Sequence, residues 1–146
     1  METQPVRWTL EHWNRQLYVG WAGARMVLAE KGISRIELRV ADHHRGGAGT
    51  PAVNGAILAY LHDIVQGAAV GSLVSPDRSI ATLSLNILYL SLTAVDDVLF
   101  GEGRVIRRGS AVAFAESEFR SKKGEVCCKA AGTFRILRAR PEPCMD

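Results

Sequence analysis

Asn54, His62 and Asp63 are among the few polar side chains that interrupt a largely apolar run, PAVNGAILAYLHDIVQGAAV at residues 51–70. A carboxylate among so many apolar neighbours must recover its lost hydration by hydrogen bonding, by pairing or by use in chemistry. Asp63 is therefore the first candidate for a functional group. The run reads as a helix, because Ala, Leu and Ile dominate it and no proline follows Pro51. Asn54 is placed to cap it, and Gly55 leaves the first-turn amides open to a ligand. His62 points about a hundred degrees around the helix from Asp63, so it reads as a satisfied core or interface residue. Gln66, one turn on, is expected to share the Asp63 face and to orient the carboxylate or a water.

Other reactive residues carry less. Asp42, His43 and His44 lack a fourth group at a ligand spacing, so no metal is expected and the two histidines read as solvent-exposed. The Gly46, Gly47 and Gly49 stretch lacks the Lys and Thr or Ser of a phosphate-binding loop. Cys127, Cys128 and Cys144 form no CxxC pair and are odd in number, which argues for a reducing cytoplasm, with Cys127 and Cys128 facing opposite ways on a strand. Eighteen basic and fifteen acidic residues leave a net charge of +3, spread along the chain. That balance fits a small acidic ligand better than nucleic acid, for which no motif is present. The N-terminus lacks a signal-peptide pattern, and no run is apolar for the length of a membrane span, so no membrane partner is expected.

The elements that must position Asp63 follow from periodicity. A short helix is expected at about 9–18, capped by Thr9, with its tryptophans packing it onto a sheet rather than serving as a ligand platform. Two strand-like runs, 24–29 and 33–40, meet at the turn residues Glu30, Lys31 and Gly32. After the helix, strands are expected over 80–90, 98–108, 111–119 and 126 to about 138, with SKKGE at 121–125 as a hairpin turn. Strict alternation along the first of these puts Leu83, Leu85, Ile87 and Tyr89 on one face and Thr82, Ser84 and Asn86 on the other. Asp96 and Asp97 precede the next strand. The tail from about 139 is broken by proline and reads as loose. With 146 residues and 47% hydrophobic content, one domain over 1–146 is expected, an α+β arrangement in which antiparallel strands curl around one central helix.

Four segments in this order resemble the hotdog-fold acyl-CoA thioesterases, in particular the phenylacetate-degradation and hydroxybenzoyl-CoA types. They are VNGAILAYLHD at 53–63, TLSLNILYL at 82–90, VIRRGS at 105–110 and CCKAAGTFRIL at 127–137. The resemblance covers about residues 15–138. It implies a long central helix wrapped by a curved, mainly antiparallel sheet of about six strands, and self-association as a homodimer or homotetramer with sites at subunit interfaces. It also implies hydrolysis of an acyl-CoA or related thioester, with the coenzyme A moiety entering as part of the substrate and no separate cofactor.

By the same resemblance, Asp63 falls on the catalytic carboxylate, acting on water as a general base or on the thioester as nucleophile. Gly55 falls on the glycine whose amide polarises the thioester oxygen, a task suited to a helix N-terminus. Thr82 falls on a Ser or Thr that positions water across the dimer interface, with Ser84 as the nearby alternative. Arg107, Arg108 and Ser110 fall where coenzyme A phosphates bind, or else form a solvated strand end. Asn54 stands where the family has His; it can hydrogen-bond a carbonyl or water but cannot share a proton near neutral pH. Ala48 stands where several members have Asn or Gln. Two other readings follow: a binding protein that keeps the acyl slot without the chemistry, and a thioester hydratase or dehydratase, for which no His follows Asp63 on the helix. Acyl specificity is expected to depend on Tyr60, Leu61, Leu88 and Tyr89.

Overall fold

The computed structural model describes residue 3 and residues 5–46, 50–94 and 97–138. The expectations for Gly47, Ala48, Gly49, Asp96, Cys144 and the tail from 139 lie outside the described residues. Where one N-terminal helix was expected, there are two, α1 (Leu10–Asn14) and α2 (Leu17–Trp21), separated at Arg15 and Gln16. Thr9 caps the first by accepting from the His12 N–H. Strands β1 (Ala24–Glu30) and β2 (Ile33–Arg39) form the expected hairpin, its turn carried by Lys31 and Gly32 at φ 51° and 77°. Two consecutive positive φ values match the right-handed twist of the paired strands.

A short 3-10 turn, Asp42–His44, leads to the long helix α3 (Gly55–Gly71). Four strands follow: β3 (Ser79–Tyr89), β4 (Val98–Arg108), β5 (Val112–Arg120) and β6 (Val126–Leu137). They pair with β1 and β2 in one six-stranded sheet of order β1-β2-β4-β5-β6-β3, antiparallel throughout. This is the α+β hotdog fold, with α3 as its core.

The sheet-facing side of α3 is mainly apolar, with Leu61, Val65, Ala68 and Ala69 fully buried beside the polar His62 and Gln66. The helix backbone comes close to the sheet at Gly103 of β4, where an added Cβ would stand 2.5 Å from the Val65 carbonyl oxygen. The Ser34 hydroxyl of β2 donates to that same oxygen, so the backbone of the helix is tied directly to the sheet. On the other side of α3 lie the N-terminal tryptophans. Trp8 and Trp13 are 9% and 5% exposed, consistent with the packing role expected for this segment. Asn14 fixes α1 to β1 through two bonds to the Met26 backbone, each 2.9 Å. Among the described residues no helix is long and apolar enough to cross a membrane, and no cluster of His, Cys, Asp and Glu could hold a metal.

Strand β3 departs from strict alternation. A bulge between Thr82 and Ser84 shifts its pairing with β6, leaving Leu83 without a paired residue. Ahead of the bulge, Ile80 and Thr82 reach the α3 side; beyond it, Tyr89 does, with Leu85 and Ile87 less exposed than Ser84, Asn86 and Leu88. Thr82 and Tyr89 were expected on opposite faces. The extra residue corrects this, because a bulge inverts the alternation of every side chain that follows it.

Candidate active site

Helix α3 begins at Asn54, which is extended at φ −61° and ψ 133°. Its side-chain oxygen accepts from the Ala56 N–H at 2.8 Å, as expected for the cap. Its own N–H donates to the His44 carbonyl at 2.7 Å. Among the described residues neither the Gly55 N–H nor the Asn54 side-chain amide N–H donates to any acceptor, so the helix start offers two free donors. Tyr89 braces this end: its hydroxyl donates to the Gly55 carbonyl at 2.7 Å, and its ring would lie 3.2 Å from a Cβ at residue 55.

Two turns along, the polar residues divide in a way that corrects the sequence reading. Asp63 is half-buried, whereas His62 and Gln66 are 0% exposed. His62 satisfies both ring nitrogens, with Nδ1 2.7 Å from the Ser117 hydroxyl and Nε2 3.2 Å from the Cys128 sulfur, and its ring stands edge-on to Phe119. Burial lowers its pKa to about 4 and raises that of the Cys128 thiol to about 12, so both groups are neutral near pH 7. Gln66 does not orient Asp63. Its amide donates to Ser117 at 2.7 Å, because a spacing of four residues places it on the His62 side, and its carbonyl oxygen is buried without a donor among the described residues.

Asp63 looks the other way, away from the sheet centre. The Thr82 hydroxyl donates to its Oδ1 at 2.6 Å within the chain. Ser84, past the bulge, is exposed on the opposite face. Asp63 and Thr82 form the polar end of a cavity of about 400 Å³ whose remaining walls are mainly apolar and aromatic, from Trp8, Trp13, Tyr18, Tyr60, Ile80 and Phe134. The Tyr60 hydroxyl donates to the Tyr18 carbonyl at 2.9 Å. Burial first, then the nearby Tyr60 and Asp63, raises the Tyr18 pKa and keeps the phenol protonated.

Not all residues expected to act together meet. Arg107, Arg108 and Ser110 are exposed at the end of β4. Register pairs Arg108 with Ala113, Ala113 with Phe134 and Phe134 with Thr82, which sets Arg108 three strands, or about 14 Å, from Thr82. Of the four residues expected to set acyl specificity, Tyr60 lines the cavity, Leu61 is fully buried, Leu88 is 65% exposed and Tyr89 stands at Gly55. Trp8, Trp13 and Tyr18 were not expected at the site. Their aromatic density was visible in the sequence, but nothing local linked it to Asp63. The histidine pair also splits, with His43 exposed and His44 buried, donating and accepting through its ring to the Ala22 carbonyl at 2.7 Å and the Ala41 N–H at 3.0 Å.

A carboxylate oriented by a hydroxyl at the mouth of an apolar slot can take a proton from water beside an acyl group, and free amides at a helix start can hold developing negative charge. Comparison with known proteins identifies the family. The profile of the Thioesterase superfamily matches residues 51–128. A Caenorhabditis elegans protein named "Putative esterase F42H10.6" is 33% identical over 106 residues, which are 72% of this chain and 61% of that protein, so the match spans less than two thirds of the relative's length. The structure of conserved protein PA5202 from Pseudomonas aeruginosa superposes with a TM-score of 0.80 at 26% identity, covering 91% of this chain and 100% of that one. A hypothetical thioesterase protein from Streptococcus pneumoniae TIGR4, solved with coenzyme A, gives a TM-score of 0.72 at 24% identity over 81% of this chain and 88% of its own, a likeness of fold.

Proposed function

The chain belongs to the thioesterase superfamily, and from that membership we propose that it hydrolyses acyl-CoA thioesters at a site built by two copies of the chain. The observation that carries this reading is Asp63, held by Thr82 at the polar end of an apolar cavity. Asp63 takes a proton from water as the water oxygen attacks the thioester carbonyl carbon. The carbonyl oxygen becomes an oxyanion held by the Gly55 N–H, helped by the Asn54 amide and the positive end of α3. Collapse of this intermediate breaks the C–S bond, and the proton passes to the departing thiolate. Thr82 fixes one carboxylate oxygen and leaves the other for water.

A second copy supplies the amide. Gly55 and Asp63 are eight residues apart on one helix, about 12 Å along its axis, too far for both to act on one carbonyl. Strand β3 lies at the sheet edge and exposes Leu83, Leu88, Leu90 and Leu92 on or just beyond it, a surface that a second β3 would cover. In this reading Arg107, Arg108 and Ser110 hold the coenzyme A phosphates at the strand ends. The substrate and the unpaired, buried Cys127 and Cys128 both suit a cytoplasmic setting.

The test is release of free coenzyme A from a panel of aromatic, short and long acyl-CoAs, for the wild-type chain and Asp63→Asn. Loss of a general base should lower kcat by about 10²–10⁴ while circular dichroism stays unchanged. Full activity in Asp63→Asn removes the carboxylate from the mechanism. Acyl-CoA binding without turnover in the wild type establishes the non-catalytic reading instead.

A further inference from the structure

The cavity at Asp63 has a floor. Around Gly67, one turn beyond Asp63 on the same face of α3, side-chain atoms of Trp13, Ile80 and Phe134 stand 3.7, 3.8 and 3.9 Å from the position of an added Cβ. The space between this floor and the Asp63–Thr82 pair is about 400 Å³, near the small end of the range of about 300–1,000 Å³ for small-molecule sites. Three of its lining residues, Trp8, Trp13 and Tyr18, lie ahead of the segment that matches the superfamily. Trp13 forms the floor, Trp8 packs beside it with ring centroids 5.8 Å apart, and Tyr18 stands edge-on to Trp13 at 6.5 Å.

Trp13 is placed by shape. Its indole N–H is buried and has no acceptor among the described residues, a sacrifice that buried tryptophans rarely make. Gly67 is the complementary feature: it lines the cavity, and the absence of a side chain there leaves room for the Trp13 ring 3.7 Å from its Cβ position.

We infer that the Trp8–Tyr18 segment is the acyl-specificity element of this protein: Trp13, seated over Gly67, closes the Asp63 cavity so that it accepts a compact acyl group, a ring or a short chain, and rejects long chains. The inference rests on the thioesterase reading for its substrate class. Trp13 and Gly67 act on binding of the acyl group and take no part in bond making.

The experiment compares wild type, Trp13→Ala, Trp13→Phe and Gly67→Ala on butanoyl-, phenylacetyl- and dodecanoyl-CoA, and in parallel titrates the inert thioethers S-butyl-CoA and S-dodecyl-CoA by calorimetry. In wild type, kcat/KM for dodecanoyl-CoA should lie at least about tenfold below that for butanoyl-CoA. Trp13→Ala should raise the dodecanoyl-to-butanoyl ratio by about tenfold, and Trp13→Phe should keep it near the wild-type value. Gly67→Ala meets only ordinary contacts and is safe for the fold; it should lower phenylacetyl-CoA turnover through KM rather than kcat. A chain-length profile that neither Trp13→Ala nor Gly67→Ala moves overturns the inference and leaves hydrolysis standing. Thioether binding with the expected selectivity, shifted by Trp13→Ala but without turnover of any thioester, upholds the specificity element and overturns hydrolysis. Neither turnover nor binding overturns both.

Discussion

The distance along α3 makes a prediction that one-chain chemistry does not. Gly55 opens the helix and Asp63 lies eight residues later, about 12 Å away at 1.5 Å per residue. A carboxylate, a water and a carbonyl carbon in a productive array span far less than this, with each contact near 3 Å. In the proposed mechanism each site therefore takes its carboxylate from one chain and its amide from another. Two variants disable the two halves separately. Asp63→Asn removes the base. Gly55→Pro removes the N–H at the first helical position, where proline is tolerated, and the preceding Asn54, at ψ 133°, already has the extended conformation that proline requires of its neighbour. The Tyr89 ring, 3.2 Å from the new Cβ, must give by a few tenths of an ångström. Alone, Gly55→Pro should cost about 10²–10³ in kcat. After unfolding and refolding an equal mixture, half the dimers combine both variants, and each of these holds one intact site and one doubly impaired site. Activity should return to about a quarter of the wild-type value, measured by thiol release at constant total protein. A mixture no more active than the average of its components, with mixed dimers shown by mass spectrometry, refutes the shared site.

The glycines facing the two sides of α3 should respond oppositely to one substitution. Gly103→Ala sets a Cβ against the Val65 carbonyl and should destabilise by about 1–3 kcal/mol, whereas Gly67→Ala meets only ordinary van der Waals contacts and should gain up to about 1 kcal/mol of helix propensity. Urea midpoints moving in opposite directions at constant m value would check this. His62 predicts the pH dependence of stability. Its native pKa is about 4 and its ordinary value 6.5, so between these the unfolded chain takes up a proton that the native chain refuses. Stability is complete above pH 6.5 and falls by about 3 kcal/mol as the pH drops to about 4. Denaturant curves across that window should be less pH-dependent for His62→Gln than for wild type. Equal slopes would show that His62 takes up its proton without loss of the fold.

Much of the architecture was legible locally. The Asn54 cap, the Lys31–Gly32 turn and the long strand runs rest on interactions within a few residues, and β4 over Val98–Arg108 appears with its expected bounds. Local rules failed where a partner element decides. The N-terminal helix divides in two, as Asn14 is drawn to the Met26 backbone. Gln66 was assigned to Asp63 because it lies near it on the helix, yet the hydroxyl that binds it is on β5.

By itself, the sequence determined that a long apolar helix would begin at Asn54 and carry Asp63, since composition, periodicity and capping act over one or two turns. Tertiary structure decided what Asp63 touches. The bulge between Thr82 and Ser84 depends on the register of β3 against β6, and it lets Thr82, which donates to the carboxylate, and Tyr89 reach the same side of the sheet. Packing of the N-terminal helices against the Gly67 face then encloses the space beside it, bringing together side chains separated by more than fifty residues of chain. Such contacts follow from which surfaces are left to cover once the sheet has closed on the helix, a property of the assembled layers and not of any local stretch.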